Sequence, residues 1–159
     1  MARVDKRKLL AALRSRLEEE LERATRHARD AAEATTHEEN RAEGDKDMRS
    51  TETSYVARGQ ALRAHELENA LARLGVMPVR DFAKGDAIEV SALVDVEQDE
   101  RALTYFLVSA GGGQRLGKEV TTLLTTSPLG AALLGLRAGE EAEVSTPQGS
   151  RFVTIVAVR

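Results

Sequence analysis

Apolar residues near the start of the chain recur with the period of a coiled-coil seam. Leu10, Leu13, Leu17, Leu21, Ala24, Ala28 and Ala31 are spaced 3, 4, 4, 3, 4 and 3, a mean of 3.5 residues. A helix that repeats its apolar positions at that interval buries one narrow stripe against another helix. Asp5 is a plausible N-cap, and no proline or glycine interrupts the chain before Gly44. A second seam runs through Ala57, Ala61, Ala64, Leu67, Leu71 and Leu74, then stops at Gly75 with Pro78 beyond. The many alanines predict close helix approach. Between the seams, residues 35–54 contain only Ala42 and Met48 as apolar side chains, so this stretch cannot build a core. A helix over 5–34 is about 45 Å long at 1.5 Å per residue, and an antiparallel hairpin would carry the polar stretch at its tip. A bundle of independent helices or a dimeric coiled coil has the same periodicity, and spacing alone does not choose among them.

Beyond Leu74 the chemistry changes. Residues 75–159 hold ten of the twelve glycines, all three prolines and four of the five aromatics, whereas residues 1–74 hold all three histidines and 15 residues of each charge sign. This half reads as β structure. Ile88, Val90, Ala92, Val94 and Val96 alternate with Glu89, Ser91, Leu93 and Asp95, which predicts a strand with one buried face. A turn at Gln98-Asp-Glu100, strands over 103–109 and 120–125, and a short helix over 128–134 follow. Ser127 would cap that helix, with Pro128 at its first position. Strands over 143–146 and 152–158 are joined by Pro147-Gln-Gly149. The expected fold class is α+β, with a helical unit over 1–76 and an antiparallel β domain with one short helix over 80–159.

Composition removes several functions. The formal net charge of −3 provides no basic field for counterion release from nucleic acid. Aromatics are 3% of the chain and tryptophan is absent, leaving few platforms for stacking bases. With no cysteine there is no disulfide, thiolate zinc site or cysteine nucleophile, which fits a reducing, cytoplasmic setting. No apolar run approaches a membrane span.

Few residues suggest chemistry. Glu43-Gly-Asp45-Lys-Asp47 packs three carboxylates into five residues. Exposed carboxylates can ligate a hard cation, but magnesium prefers six oxygens, so this would be an incomplete site. The alternative is that Asp45 or Asp47 caps the second helix and the rest are solvated. The segment is no EF-hand, since the downstream ligands are missing. His27, His37 and His65 have no metal-like spacing. Gly111-Gly-Gly-Gln-Arg115 lacks the lysine and hydroxyl of a phosphate loop and reads as a flexible connection.

The segment Ser127-Pro-Leu-Gly-Ala-Ala-Leu-Leu-Gly-Leu-Arg-Ala-Gly139, followed by Glu140-Glu-Ala-Glu-Val-Ser-Thr-Pro-Gln-Gly149, resembles the C-terminal signature of the bacterial Gre transcript-cleavage factors. Glu140 stands where that family usually has aspartate. Ala42-Glu-Gly-Asp45 is similar to the family's tip, and Tyr55 with Ala57-Arg-Gly-Gln60 resembles the start of its second helix. The resemblance implies an N-terminal coiled-coil hairpin with an FKBP-like C-terminal domain. It further implies a monomer that docks on RNA polymerase, through a surface that includes Ser127 and Pro128, and inserts its hairpin in the secondary channel. There Asp45 and Asp47 would share a Mg2+ with the polymerase and stimulate cleavage of backtracked RNA. The factor would be no enzyme by itself, would have no cofactor of its own, and would meet nucleic acid only through the polymerase. The family tip reads Gly-Asp-Leu-x-Glu-Asn-x-Glu-Tyr; the stretch from Gly44 to Tyr55 is three residues longer. Asp45 matches the first acid. Met48 falls on the second without a gap, which makes Asp47 the nearest replacement and Glu43 or Glu52 weaker ones. Without a second carboxylate, the resemblance implies a secondary-channel inhibitor instead. From another class, a structural coiled-coil adaptor remains a reading of the heptads.

Overall fold

The computed structural model describes residues 3–39 and 46–159, with side chains over 3–36 and 51–159. Helix α1 spans Lys6–Glu39 and α2 spans Lys46–Gly75. The α1 start follows from its cap: Asp5 Oδ1 accepts from the Arg7 and Lys8 N–H groups at 2.9 and 3.4 Å. These bonds satisfy donors that have no partner inside the helix. Leu13, Leu17 and Ala24 are buried, and Leu10, Leu21, Ala28 and Ala31 are half-buried, so the first seam faces inward along its length.

The second seam differs from expectation at one position. Ala61 is exposed and Gln60 is half-buried in its place. The inward positions are then Ala57, Gln60, Ala64, Leu67, Leu71 and Leu74, a regular 3, 4, 3, 4, 3 alternation. Helix geometry outweighs side-chain polarity here, because burying one alanine methyl contributes less than keeping the leucines in register. Glu20 and Arg63 pair at 2.9 Å. Only six residues separate the helices in sequence, so a contact about midway along each requires antiparallel packing within one chain. An exposed pair of this kind contributes about 1 kcal/mol or less, and the seam supplies the remainder.

The chain divides into two compact units, one of Ser15–Leu71 and one of Met1–Arg14 with Ala72–Arg159. The outer ends of both helices therefore belong with the β unit. Strands β1 (Leu93–Gln98), β2 (Arg101–Val108), β3 (Arg115–Leu116) and β4 (Val120–Leu124) precede α3 (Pro128–Leu133), and β5 (Glu141–Thr146) and β6 (Gly149–Val158) follow it. They form one sheet in the order β3-β4-β2-β1-β6-β5. Ile88, Val94, Val96, Leu107, Leu133, Val153 and Ile155 make a buried cluster between α3 and the sheet.

Three expectations need correction. The alternation from Ile88 does not make a strand: Ser91 has φ 72°, and the Ala92 N–H closes a turn onto the Glu89 carbonyl at 3.1 Å. Ile88 instead exchanges backbone bonds with Leu136 and Gly135, so its place in the core comes from a loop. Next, Leu93 and Val94 are consecutive and both buried, so β1 is covered on two faces at its start, whereas Glu97 farther along is exposed. Finally, the sheet is mixed. β2 pairs with β4 in parallel, Thr104 opposite Val120 through Val108 opposite Leu124. Parallel neighbours need a long return connection. Here the glycine-rich stretch supplies it, with Gly111, Gly113 and Gly117 at positive φ and the buried Thr122 hydroxyl bridging the Gly111 carbonyl and the Gln114 N–H. Alternation reports which face a residue occupies but not strand direction.

The β1–β2 hairpin turns through Asp99 (φ 51°) and Glu100 (φ 61°). Two left-handed central residues are the tight-turn geometry that matches strand twist, and glycine suits it better than a residue with a Cβ. Glu100→Gly is therefore expected to stabilise the β unit by about 0.5–1 kcal/mol, read as a higher denaturant midpoint with unchanged slope.

Candidate functional site

Two regions were expected to carry function. Of the tip residues, Glu43 and Asp45 lie outside the described residues. Asp47 falls in the first turn of α2, and its side chain is likewise outside them. Glu52 is exposed on α2, and Tyr55 is 74% exposed. Among the described residues, no group of three or more histidine or acidic side chains is arranged to hold a metal ion.

The second region is built around Ser127. Its backbone is extended (φ −69°, ψ 159°), its Oγ accepts from the Gly130 N–H at 3.1 Å, and its hydroxyl donates to the Leu124 carbonyl at 2.7 Å. The hydroxyl is thus engaged inside the fold. Pro128, at the first helical position, presents an exposed ring. Gly130 is the residue that sequence reasoning passed over. A Cβ at that position would stand 1.9 Å from the Leu124 carbonyl oxygen, so only glycine lets α3 approach the end of β4 this closely.

A cluster at the start of α1 was also missed. Lys6 is 7% exposed; its Nζ donates to the Arg80 carbonyl at 2.8 Å and lies 4.4 Å from the Phe82 ring centroid. The Arg80 guanidinium stacks on the same ring at 3.8 Å and pairs with Glu89 (2.9 Å) and Asp86 (3.4 Å). The signal was present, since Lys6 sits four residues before Leu10 and continues the seam. Its aliphatic stem can occupy an inward position while the ammonium finds a carbonyl. The Ala83 N–H, with Arg80 beside it, holds the Asp86 carboxyl below its usual range. Burial lowers the Lys6 ammonium to about 8, a shift that nearby Asp81 partly opposes and Arg80, Arg3 and Arg159 reinforce. The folded state then releases the proton near pH 8 and the unfolded state only near 10.5, so the cost of burying the charge is present below 8 and relieved between 8 and 10.5. Stability measured by denaturant at fixed pH should rise across that window relative to Lys6→Met.

No described helix is long and apolar enough to cross a membrane. The family model described as "Transcription elongation factor, GreA/GreB, C-term" matches residues 83–159. Transcription elongation factor GreA of Chloroflexus aurantiacus is 36% identical over 115 residues, covering 69% of this chain and 71% of that protein. Transcription elongation factor GreA of Rhodospirillum rubrum is 32% identical over 99 residues, and the chain spans 60% of that relative's length. Among solved structures, GreA factor homolog 1 of Thermus thermophilus is 24% identical, with 92% of this chain and 94% of that chain covered and a TM-score of 0.40.

Proposed function

This chain belongs to the GreA/GreB family of transcription elongation factors, and from that membership we propose that it docks on RNA polymerase and stimulates cleavage of backtracked RNA. The observation that carries the reading is the long antiparallel helix pair joined by an acidic segment, on the same chain as the matched C-terminal domain. The pair enters the polymerase secondary channel, and the C-terminal domain docks through a surface that includes Pro128 beside the Ser127 cap. The α1 helix has 34 residues, about 50 Å at 1.5 Å per residue, which supports a reach into a narrow channel.

Asp45 and Asp47 supply hard carboxylate oxygens, the donor type that suits magnesium. Two such residues leave most coordination positions open, in keeping with a Mg2+ held jointly with the polymerase rather than by this chain alone. When bound, that ion supplies charge stabilisation and a polarised water for phosphodiester hydrolysis. The two aspartates would hold that ion and accept hydrogen bonds from its water, and the polymerase binds the nucleic acid. That division suits a chain of net charge −3. The protein is then a cytoplasmic monomer and a stimulator of another enzyme's activity.

The longer tip, with Met48 on the family's second acid, favours a second reading: entry into the channel without cleavage, and so inhibition. Purified protein added to a backtracked polymerase complex separates the two. Shortened RNA supports the stimulator; slowed elongation without shortening supports the inhibitor. The adaptor reading predicts neither.

A further inference from the structure

Strand alternation divides β6 between two environments. Val153 and Ile155 are buried in the cluster that contains Leu133 of α3, so Phe152 and Thr154 face the other side of the sheet. The register slips between Asp95 and Val96, and next to this irregularity Val156 is 57% exposed; Phe152 is 54% exposed. The neighbouring strands bring carboxylates beside this strip. Glu143 pairs with Phe152, Glu141 pairs with Thr154 from β5, and Glu97 pairs with Thr154 from β1. All three glutamates are exposed, and none forms an ion pair among the described residues. Asp95, by contrast, is held by both Arg159 and Thr104. Val156 and Glu97 also border an open groove of about 650 Å3, with Arg115 and Lys118 among its lining.

We propose that this outer face of β5, β6 and β1 is a docking surface for a basic protein segment that carries spaced apolar side chains. Apolar contact with Phe152 and Val156 removes exposed hydrocarbon from water, while lysine or arginine neutralises three carboxylates set close together. A second copy of this chain is a poor occupant, since it would bring three glutamates against three more. A phosphate backbone is repelled for the same reason. The surface lies across the sheet from α3, so it is separate from Ser127 and Pro128 and stands whether or not the polymerase reading does.

The test is an NMR titration of the full chain with an amphipathic lysine–leucine peptide, alongside a glutamate–leucine peptide. The expected result is amide shifts centred on Glu97, Glu141, Glu143, Phe152, Thr154 and Val156 with the basic peptide only. Combining Glu97→Gln, Glu141→Gln and Glu143→Gln, or making Phe152→Ser, should weaken binding roughly tenfold or more. Glu18→Gln with Glu19→Gln and Glu68→Gln, on the helices, should leave it unchanged. Shifts centred on the helices or on α3, equal loss in the helix variant, or equal binding of the acidic peptide would overturn the proposal. So would a dimer, detected by sedimentation of the free protein, that Phe152→Ser abolishes.

Discussion

Asp45→Ala is expected to reduce RNA cleavage in a backtracked polymerase complex on the order of a hundredfold, while leaving polymerase binding intact. The size follows from removing a ligand of the ion that would offset the negative charge developing in the transition state, where a single donor or ligand is commonly worth that much. Asp47→Ala should reduce cleavage as well. If Asp47 supplies the second carboxylate, the double variant should lose little beyond the single ones, because two ligands of one ion act as a unit. Raising Mg2+ should partly rescue the single variants, a response that a helix-capping role would not produce. Normal cleavage by both alanine variants would remove these residues from the mechanism. No cleavage by the unaltered protein, with binding retained, would favour the inhibitor.

Gly130→Ala should destabilise the β unit by about 3 kcal/mol, opposite in sign to the usual effect of alanine in a helix. The added methyl would stand 1.9 Å from the Leu124 carbonyl oxygen and 2.8 Å from its carbon, both backbone atoms that no rotamer change can move aside. That carbonyl also accepts from the Ser127 hydroxyl and the Ser127 N–H, so displacing it weakens the cap of α3. Leu133 would shift with the helix, and it is fully buried in the core cluster. Gly59→Ala on α2 is the matched control. Its Cβ would meet nothing within 4 Å, so the same substitution should stabilise that helix by about 0.5–1 kcal/mol. Thermal or denaturant unfolding of both variants reads the contrast directly. Equal effects would mean that the close approach at Gly130 relaxes without cost.

The helices were legible because a 3.5-residue repeat has one physical cause, a stripe of burial, and because Asp5 and Ser127 accept from backbone donors within a few residues of themselves. Local chemistry of that kind is written locally. Gln60 shows the limit: choosing the apolar neighbour Ala61 broke the alternation that packing imposes. The run from Ile88 to Val96 shows another, since Ser91 turns the backbone while the apolar residues on both sides still reach the core. Gly130 and the Lys6–Phe82–Arg80 cluster were not legible, because the first depends on how closely α3 approaches the end of β4 and the second on a ring and a carbonyl far along the chain.

By itself, the sequence determined the long heptad-bearing helices, a glycine-rich β unit after them, a capped short helix and the lack of a basic field. Each of these depends on residue type and spacing along the chain. Only the tertiary structure decided that β2 and β4 run parallel, that β1 is covered on both faces at its start, that Lys6 lies buried under a carbonyl and a ring, and that three glutamates with no ion pair among the described residues flank an apolar strip. Those features arise from segments far apart in sequence, and alternation or periodicity carries no information about which distant strand becomes a neighbour or in which direction it runs.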